Sequence, residues 1–563
     1  MPTRSSCDAT SDGAPNRVQA FTQVIARLNR ADWCVGVVLS AIAIAAVIHS
    51  RRYAGHVIDD AFVTFRQAFN LVHGEGFTCN PGERSEGTSS PLFALLMALP
   101  IALGAEPPLA AASIGTLSFV ACVVLAYSTT VNIVRDRPSR LLGIGAAAIV
   151  AASPLLAFHS QTGMDTIPYC FIVALAVRLH VKTHRQPSPI SWAWLSACVA
   201  LTRPEGYVVF LILWVAAILR RGFASGASGA ARREFVAFTL VYGPCQLFRA
   251  IYFGTWLPNA GIAPSGTSGH FLTSVFGVAA RWLLNEPANT SLGTYVNDHR
   301  LALVATVGCL LLRRSRSLIL LAVALACAQI AVVSCSGGDS MQHNRLLAPC
   351  LTPLAVATAV GIRGFVFHRE HRTGVGHVPS YGISLAVLAI VLRNGMQPSF
   401  ESAIALADPV KAREVGRRLA AVKRHDDVLV SEQAGLLPYY WQVRTLMGMA
   451  GPLDTAAARC GSVDRPNQGE TDASDVPVIN PTFYAFAHAS NAAELFSSSA
   501  FADKRKDYYM VQYPHKYLAA YGLGAPPIIF VRKDRPDTKQ VADALGVRLV
   551  DAVTELRRIG LVH

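Results

Sequence analysis

Long apolar runs, separated by short polar stretches, recur through residues 34–394 and constrain the fold more than any other feature. A membrane-spanning helix needs about 20 apolar residues, because each residue rises about 1.5 Å across a hydrocarbon core of about 30 Å. The candidate spans are 34–50, 108–133, 141–158, 166–181, 189–202, 206–219, 234–253, 301–313, 317–335, 346–366 and 380–394. The sequence therefore predicts a multi-pass α-helical membrane protein with about 11 spans.

Composition and charge agree with this prediction. The chain is 52% hydrophobic and 15% charged, whereas soluble domains carry about 25% charged residues. A net charge of +14 would suggest nucleic acid as the partner of a soluble protein. In a membrane protein the excess of Lys and Arg in cytoplasmic loops explains the same charge. We therefore expect the lipid bilayer as a partner, and no nucleic acid.

The basic loops also predict the topology. They are RDRPSR (135–140), KTHR (182–185), the loop between 220 and 233, RRSRS (313–317) and FHREHR (367–372). All of them fall on the cytoplasmic side if residues 1–33 are cytoplasmic and if 91–104, which contains Pro100, is a re-entrant or interfacial helix and not a crossing. The segment around Asp59 and residues 395–563 then lie outside the inner (cytoplasmic) membrane, in the periplasm.

Residues 395–563 differ in character from the preceding transmembrane domain, which we place at 34–394. Short strand-like runs alternate with helical ones, which is typical of an α/β domain. The strand-like runs are DVLVSE (427–432), DYYMVQ (507–512) and PIIFVRK (527–533), and the helical runs are 410–424 and 538–558. The sequence therefore predicts a C-terminal soluble α/β domain.

Two adjacent carboxylates, Asp59 and Asp60, follow the first apolar run. Acidic side chains near a bilayer are costly unless they are solvated, paired or functional. The structural alternative is that they pair with Arg66 or cap the helix that follows. The functional alternative is that the two like charges raise the pKa of one carboxyl, which makes it a better general base.

The phenylalanines after these acids, at positions 62, 65 and 69, have the spacing of one helix face. Such a helix is expected to lie in the membrane interface and to hold the carboxylates at the depth of lipid headgroups.

Arginines at the outer ends of other spans indicate an anionic ligand. Arg203 and Glu205 lie in RPEG, and Arg345 ends GGDSMQHNR. The planar guanidinium donates two parallel hydrogen bonds to a phosphate. Either Arg203 or Arg345 is therefore expected to hold a phosphate near the outer leaflet.

No nucleotide-binding or zinc-hydrolase motif is present in the sequence, since GxxxxGK[ST], HExxH and a Cys/His ligand set are all missing. We expect neither a metal nor another cofactor. A metal held by Asp59, Asp60 and Asp339 is the alternative.

Several outer segments resemble a known family. DDAFVTFRQAFNLVHGEGFTCNPGERSEGTSSPLFALL (59–96), TGMDT, LTRPEG, FGTWLPNA and GGDSMQHNRLLAP resemble the mycobacterial terminal β-(1→2)-arabinofuranosyltransferase family and its proteobacterial relatives, within the GT-C superfamily of membrane glycosyltransferases. The resemblance extends more weakly to SEQAGLLPYYWQVRT in the C-terminal part. It implies a GT-C-like fold that covers most of the chain.

The resemblance also implies a reaction and its residues. The enzyme would move a sugar from a polyprenyl-phosphate donor, decaprenyl-phosphoryl arabinofuranose in this family, to a periplasmic acceptor. That acceptor is a glycan, a lipopolysaccharide or a protein such as pilin. The residues implied are Asp59 and Asp60 for catalysis, Arg66, Arg203 and Arg345 for the donor phosphate, and Asp165, Glu205, Asn259 and Asp339 for substrate binding.

Two other functions stay open from the sequence. A transporter or flippase of polyprenyl-linked sugars would place ionisable residues or broken helices at the membrane midplane, whereas here the polar residues cluster at one end of the spans. A non-catalytic assembly protein would use the C-terminal domain for docking.

Overall fold

The computed structural model describes residues 30–84, 87–134, 139–182, 191–222, 227–254, 256, 316–335, 345–373, 409–431, 435–448, 451–452, 482–486, 504–512 and 528–558. The predicted spans 301–313 and 380–394 lie outside these ranges, as do Asn259 and Asp339.

The apolar part of the chain is helical. Its helices are α1 (Arg30–Arg51), α2 (Asp59–Val72), α3 (Pro91–Ala102), α4 (Pro107–Val134), α5 (Ser139–Ala151), α6 (Pro154–His159), α7 (Thr166–Lys182), α8 (Ser191–Thr202), α9 (Gly206–Arg221), α10 (Ala227–Phe253), α11 (Arg316–Cys335) and α12 (Leu351–Thr373). A 3₁₀ turn, Arg345–Cys350, precedes α12. Within the described ranges, Asp32–Arg51, Pro107–Val134 and Ser228–Phe253 are long and apolar enough to cross a membrane. The other apolar helices are shorter, α3 among them.

One predicted span is divided in the structure. The run 141–158 forms α5 and the short helix α6, with a break at Ser153. The Ser153 hydroxyl accepts a hydrogen bond from the Leu156 amide, and Pro154 opens α6. Proline fits the first turn of a helix but cannot continue one, because it lacks the N–H and its ring clashes with the preceding turn. The expectation of one continuous helix here was wrong.

The phenylalanine face of α2 packs against protein. Phe62 and Phe65 are 2% and 0% exposed. The Phe62 ring lies 5.6 Å from the ring of Tyr439 and 5.7 Å from that of Tyr440. Aromatic side chains from the C-terminal part of the chain therefore cover this face, and the expected position of the helix in the membrane interface stays a prediction.

The C-terminal part contains a mixed sheet with seven strands in its described residues. They are β1 (Val428–Ser431), β2 (Arg444–Gly448), β3 (Gly451–Pro452), β4 (Phe483–Phe486), β5 (Tyr508–Gln512), β6 (Ile528–Arg532) and β7 (Arg548–Asp551), in the spatial order β3-β2-β1-β4-β6-β5-β7. β1 is parallel to β2 and β4, and the remaining neighbours are antiparallel. Helices α13 (Pro409–Ala420), α14 (Leu436–Trp441), α15 (Thr538–Leu545) and α16 (Ala552–Arg558) accompany the sheet.

The helical run predicted at 538–558 is interrupted. α15 ends at Leu545, where Gly546 takes a left-handed conformation with φ of 65°. Glycine adopts this conformation at little cost and commonly ends helices. Strand β7 follows before the chain turns helical again in α16, so the prediction of one helix was wrong.

Candidate functional site

The two adjacent acids open helix α2. The helix begins at Asp59 after Ile58, so neither acid is the residue that caps this helix. The Ile58 amide donates to the Thr162 carbonyl oxygen at 3.0 Å. This bond brings the start of α2 beside the loop 160–165, which leads into α7.

Asp60 lies in a partly buried position with a cation nearby. Removal of water raises the pKa of its carboxyl above the ordinary value of 3.8, and the positive charge of Arg345 acts in the opposite direction. The sequence predicted a raised pKa for one of the two acids, caused by the like charge of the other. In the structure the cause is desolvation, which disfavours the charged form of any carboxyl.

Arg345 opens the 3₁₀ turn before α12 and is partly exposed. This turn packs against α6 and α7. Asp60 and Arg345 are thus brought from segments far apart in the sequence into one electrostatic environment beside the start of α7.

A second charged cluster lies at the junctions of α7 and α9. The Arg203 Nε atom is 3.6 Å from Asp165 Oδ2 and 3.3 Å from Glu205 Oε1, and all three side chains are almost buried. Ser90, just before α3, donates its hydroxyl proton to Asp165. The Arg203 guanidinium also stands 5.6 Å above the ring of Tyr169. Two carboxylates therefore surround this arginine, and the cluster connects three loops of the helical part.

Arg66 is placed differently from the sequence expectation. It is 1% exposed, and its Nη1 donates to Thr445 Oγ1 at 3.0 Å. Its Nη2 donates to Asn80 Oδ1 at 3.2 Å and to the Val443 carbonyl oxygen at 2.5 Å. Burial lowers the pKa of Arg66 to about 10. This guanidinium is directed at strand β2 and its neighbours, away from solvent.

Asp59 also contacts the C-terminal part. Its Oδ2 accepts a hydrogen bond from the Gly435 amide at 2.9 Å, and its Oδ1 accepts one from the Leu436 amide at 2.7 Å. Those amides lie at the beginning of α14, where a helix leaves its first N–H groups without intrahelical partners. Asp59 therefore satisfies the first turn of a distant helix.

Sequence reasoning missed several residues of this region, namely Ser90, Gly435 and Thr445. The only signal for the last two was the string SEQAGLLPYYWQVRT, which carries part of the family resemblance but does not reveal what it contacts. Ser90 lies in the string 59–96, which also carries the resemblance, but nothing in that string reveals that it donates to Asp165.

No group of three or more His, Cys, Asp or Glu side chains in the described ranges is arranged to hold a metal ion. Asp339, the third member of the alternative metal site, lies outside those ranges.

Comparison with known proteins gives a fold likeness. No protein-family model matches the chain, and no curated protein sequence matches it. The crystal structure of ArnT from Cupriavidus metallidurans bound to undecaprenyl phosphate is similar to it with a TM-score of 0.52 and 13% identity, over 89% of this chain and 98% of ArnT. The apo structure of the same protein gives a TM-score of 0.53 and 12% identity over the same shares. The chain therefore has a multi-pass α-helical membrane fold similar to that of ArnT.

Proposed function

We propose that the chain transfers a sugar from a polyprenyl-phosphate donor to a hydroxyl group of an acceptor at the outer face of the inner membrane. The observation that carries this proposal is that Asp60 stands at the start of α2, which is hydrogen-bonded to the loop before α7, and that the charge of Arg345, whose turn packs against α7, acts on it. A fold shared with a protein that was crystallised with undecaprenyl phosphate supports the lipid class of the donor.

Asp60 is the general base in this proposal. The acceptor oxygen attacks the anomeric carbon of the sugar while its proton passes to an Asp60 carboxylate oxygen. The bond between the anomeric carbon and the phosphate oxygen breaks, and the prenyl phosphate leaves with the electron pair. A carboxyl whose pKa is raised by desolvation is a stronger base than an ordinary aspartate once it is ionised.

Arg345 binds the leaving phosphate in this proposal. Negative charge grows on that phosphate as the glycosidic bond breaks, and a fixed cation lowers the barrier for that change. Arg203 is less suited to this task because Asp165 and Glu205 already lie beside its guanidinium. We therefore assign Arg203 to the orientation of those two carboxylates.

Binding of the sugar is proposed for Asp165, Glu205, Asn259 and Asp339, whose oxygens accept hydrogen bonds from sugar hydroxyls. Arg66 and Asp59 are not among the residues proposed to touch the donor, because hydrogen bonds to the C-terminal part engage both side chains.

The finer assignments rest on the sequence motifs. The resemblance of residues 59–96 supports arabinofuranose on a decaprenyl carrier as the donor. The distribution of basic loops supports a cytoplasmic N-terminus and a periplasmic domain at 395–563. The acceptor is a periplasmic glycan, a lipopolysaccharide or a protein such as pilin.

The proposal is tested with purified protein in lipid nanodiscs. Polyprenyl-phosphoryl arabinofuranose is supplied together with envelope fractions as acceptors, and release of polyprenyl phosphate is followed by mass spectrometry. The expected result is release that depends on the acceptor and is lost in Asp60→Asn. The matched control is Asp426→Asn, which removes an exposed carboxylate with a side chain 78% accessible.

Mass spectrometry of envelope glycans and glycoproteins from cells with and without the chain identifies the sugar. Loss of a pentose supports the arabinofuranose assignment, and loss of a hexose replaces it. A flippase would move the donor lipid across a vesicle membrane and release no polyprenyl phosphate, and that result would overturn the proposal. An assembly protein would tolerate Asp60→Asn in cells.

A further inference from the structure

We propose that Asp59 is a positioning residue that joins the C-terminal part to the helix carrying Asp60. That Asp59 joins these two parts is a claim about the structure, whereas its effect on the rate of sugar transfer rests on the proposed function. In this view the sheet-containing part is a support for the site and not a separate docking module.

The contact at Asp59 is close and involves backbone on both sides. Asp59 and Gly435 are 376 positions apart in the sequence, and the Asp59 carboxylate accepts from two successive amides at the start of α14. A Cβ atom added at Gly435 would stand 1.9 Å from the Asp59 carbonyl oxygen. Real Cβ atoms do not approach a carbonyl oxygen this closely, so only glycine permits the two backbones to meet here.

A second set of hydrogen bonds to the C-terminal part lies about two turns further along α2. Arg66 donates to Thr445 and Val443, and Asn80 bonds to the Thr445 backbone in both directions. The Asn80 Oδ1 accepts from the Thr445 amide at 3.1 Å, and its Nδ2 donates to the Thr445 carbonyl oxygen at 2.9 Å. The side-chain amide thus acts as a neighbouring strand would.

The hydrogen bonds of Asp59 and of Arg66 together fix the rotation of α2 about its own axis. Phe62 lies between them and packs on Tyr439. Successive residues of an α-helix project about 100° apart. Once Asp59 is bound to α14, Asp60 must project to a different side of α2, and the charge that acts on it there is that of Arg345. The bond at Asp59 therefore sets the direction of the proposed base.

The test uses the full chain and disrupts the contact between Asp59 and Gly435 from either side. Asp59→Asn keeps one acceptor oxygen, and Asp59→Ala keeps none. Gly435→Ala leaves the carboxylate intact but places a Cβ atom against the Asp59 carbonyl oxygen, which forces the two backbones apart. The control is Gly229→Ala, because no atom lies within 4 Å of the added Cβ.

Two readouts are needed. Hydrogen exchange, measured by mass spectrometry, is expected to rise in 57–66 and 435–445 for Asp59→Ala and Gly435→Ala, and less for Asp59→Asn. In the transfer assay kcat is expected to fall about 100-fold in Asp59→Ala, the cost typical of a misplacement of about 1 Å, while the KM for the donor stays within about 2-fold. Asp59→Asn is expected to lie between Asp59→Ala and the wild type.

Three outcomes decide the proposal. Faster exchange together with a selective fall in kcat supports it. Loss of transfer in Asp59→Ala with unchanged exchange overturns it, because Asp59 would then act in the chemistry itself. Unchanged exchange and unchanged rate overturn it as well. If the wild-type chain transfers no sugar, the proposed function fails. Hydrogen exchange of Asp59→Ala and Gly435→Ala then decides by itself whether Asp59 joins the C-terminal part to α2.

Discussion

The guanidinium of Arg203 stands 3.6 Å from the carboxylate of Asp165, and each side chain is only 6% exposed. One residue comes from the turn between α8 and α9 and the other from the loop before α7. Glu205 approaches the same Nε atom at 3.3 Å. The charge of the arginine is thus shared by two acids that water barely reaches.

Replacement of Arg203 is expected to destabilise the fold. Arg203→Met would leave two buried carboxylates without their cation, and removal of one partner of a buried pair costs about 3–5 kcal/mol. Chemical denaturation in mild detergent measures this loss. Arg424→Gln is the control, because its pair with Asp426 is exposed and such pairs contribute about 0–1 kcal/mol. Equal stability of the two variants would contradict the buried arrangement.

Arg66→Leu is expected to affect stability more than donor binding. The substitution would remove the guanidinium donor from the Asn80 and Val443 oxygens, and loss of a buried hydrogen-bond partner costs about 1–3 kcal/mol. Denaturation measures the stability, and the KM for the donor is determined on the folded fraction. A raised KM with unchanged stability would restore Arg66 to the phosphate site.

The apolar helices could be predicted from sequence because their signal is local. The run 34–50 lies within Arg30–Arg51, and 108–133 lies within Pro107–Val134. Length and apolar content alone decide whether a segment can cross a bilayer. The division of 141–158 also had a local cause, in Pro154, but an apolar run of sufficient length concealed it.

The candidate site could be predicted only in part, because its geometry depends on long-range packing. The motifs named Asp60 and Arg345, whose charges interact in the structure. The family resemblance also implied Arg66 as a phosphate ligand, and nothing local in the sequence shows that Val443 lies beside it. Aspartate is a residue type that favours helix caps. The helix whose first amides Asp59 binds, however, begins far away in the sequence, at Leu436.

Arg345→Gln is expected to change both donor binding and pH dependence. The Arg345 charge lowers the pKa of Asp60 against the effect of burial. Its removal therefore raises that pKa further, and the acidic limb of the kcat profile should move to higher pH because the base must be ionised. The KM for the donor should rise with loss of the phosphate contact. Kinetics across the acidic range in the transfer assay measure both effects. An acidic limb that does not move would mean that the Arg345 charge does not act on the Asp60 carboxyl.

Asp60→Asn is expected to remove transfer and to stabilise the protein at neutral pH. Loss of a general base lowers kcat by about 100- to 10,000-fold. Because burial raises the Asp60 pKa above 3.8, the folded state binds the proton more tightly than the unfolded state does. The free energy of unfolding of the wild type therefore falls as pH rises from about 3.8 through the folded pKa, and the full penalty is present above it.

The asparagine variant lacks this penalty, so its stability relative to the wild type should be greater at pH 7 than at pH 4. Thermal unfolding in detergent at the two pH values measures the difference, and Asp426→Asn provides the exposed control. A relative stability of Asp60→Asn that does not change with pH would mean that this carboxyl is well solvated. It would then be an ordinary surface aspartate, and the desolvated base on which the proposed transfer depends would not exist.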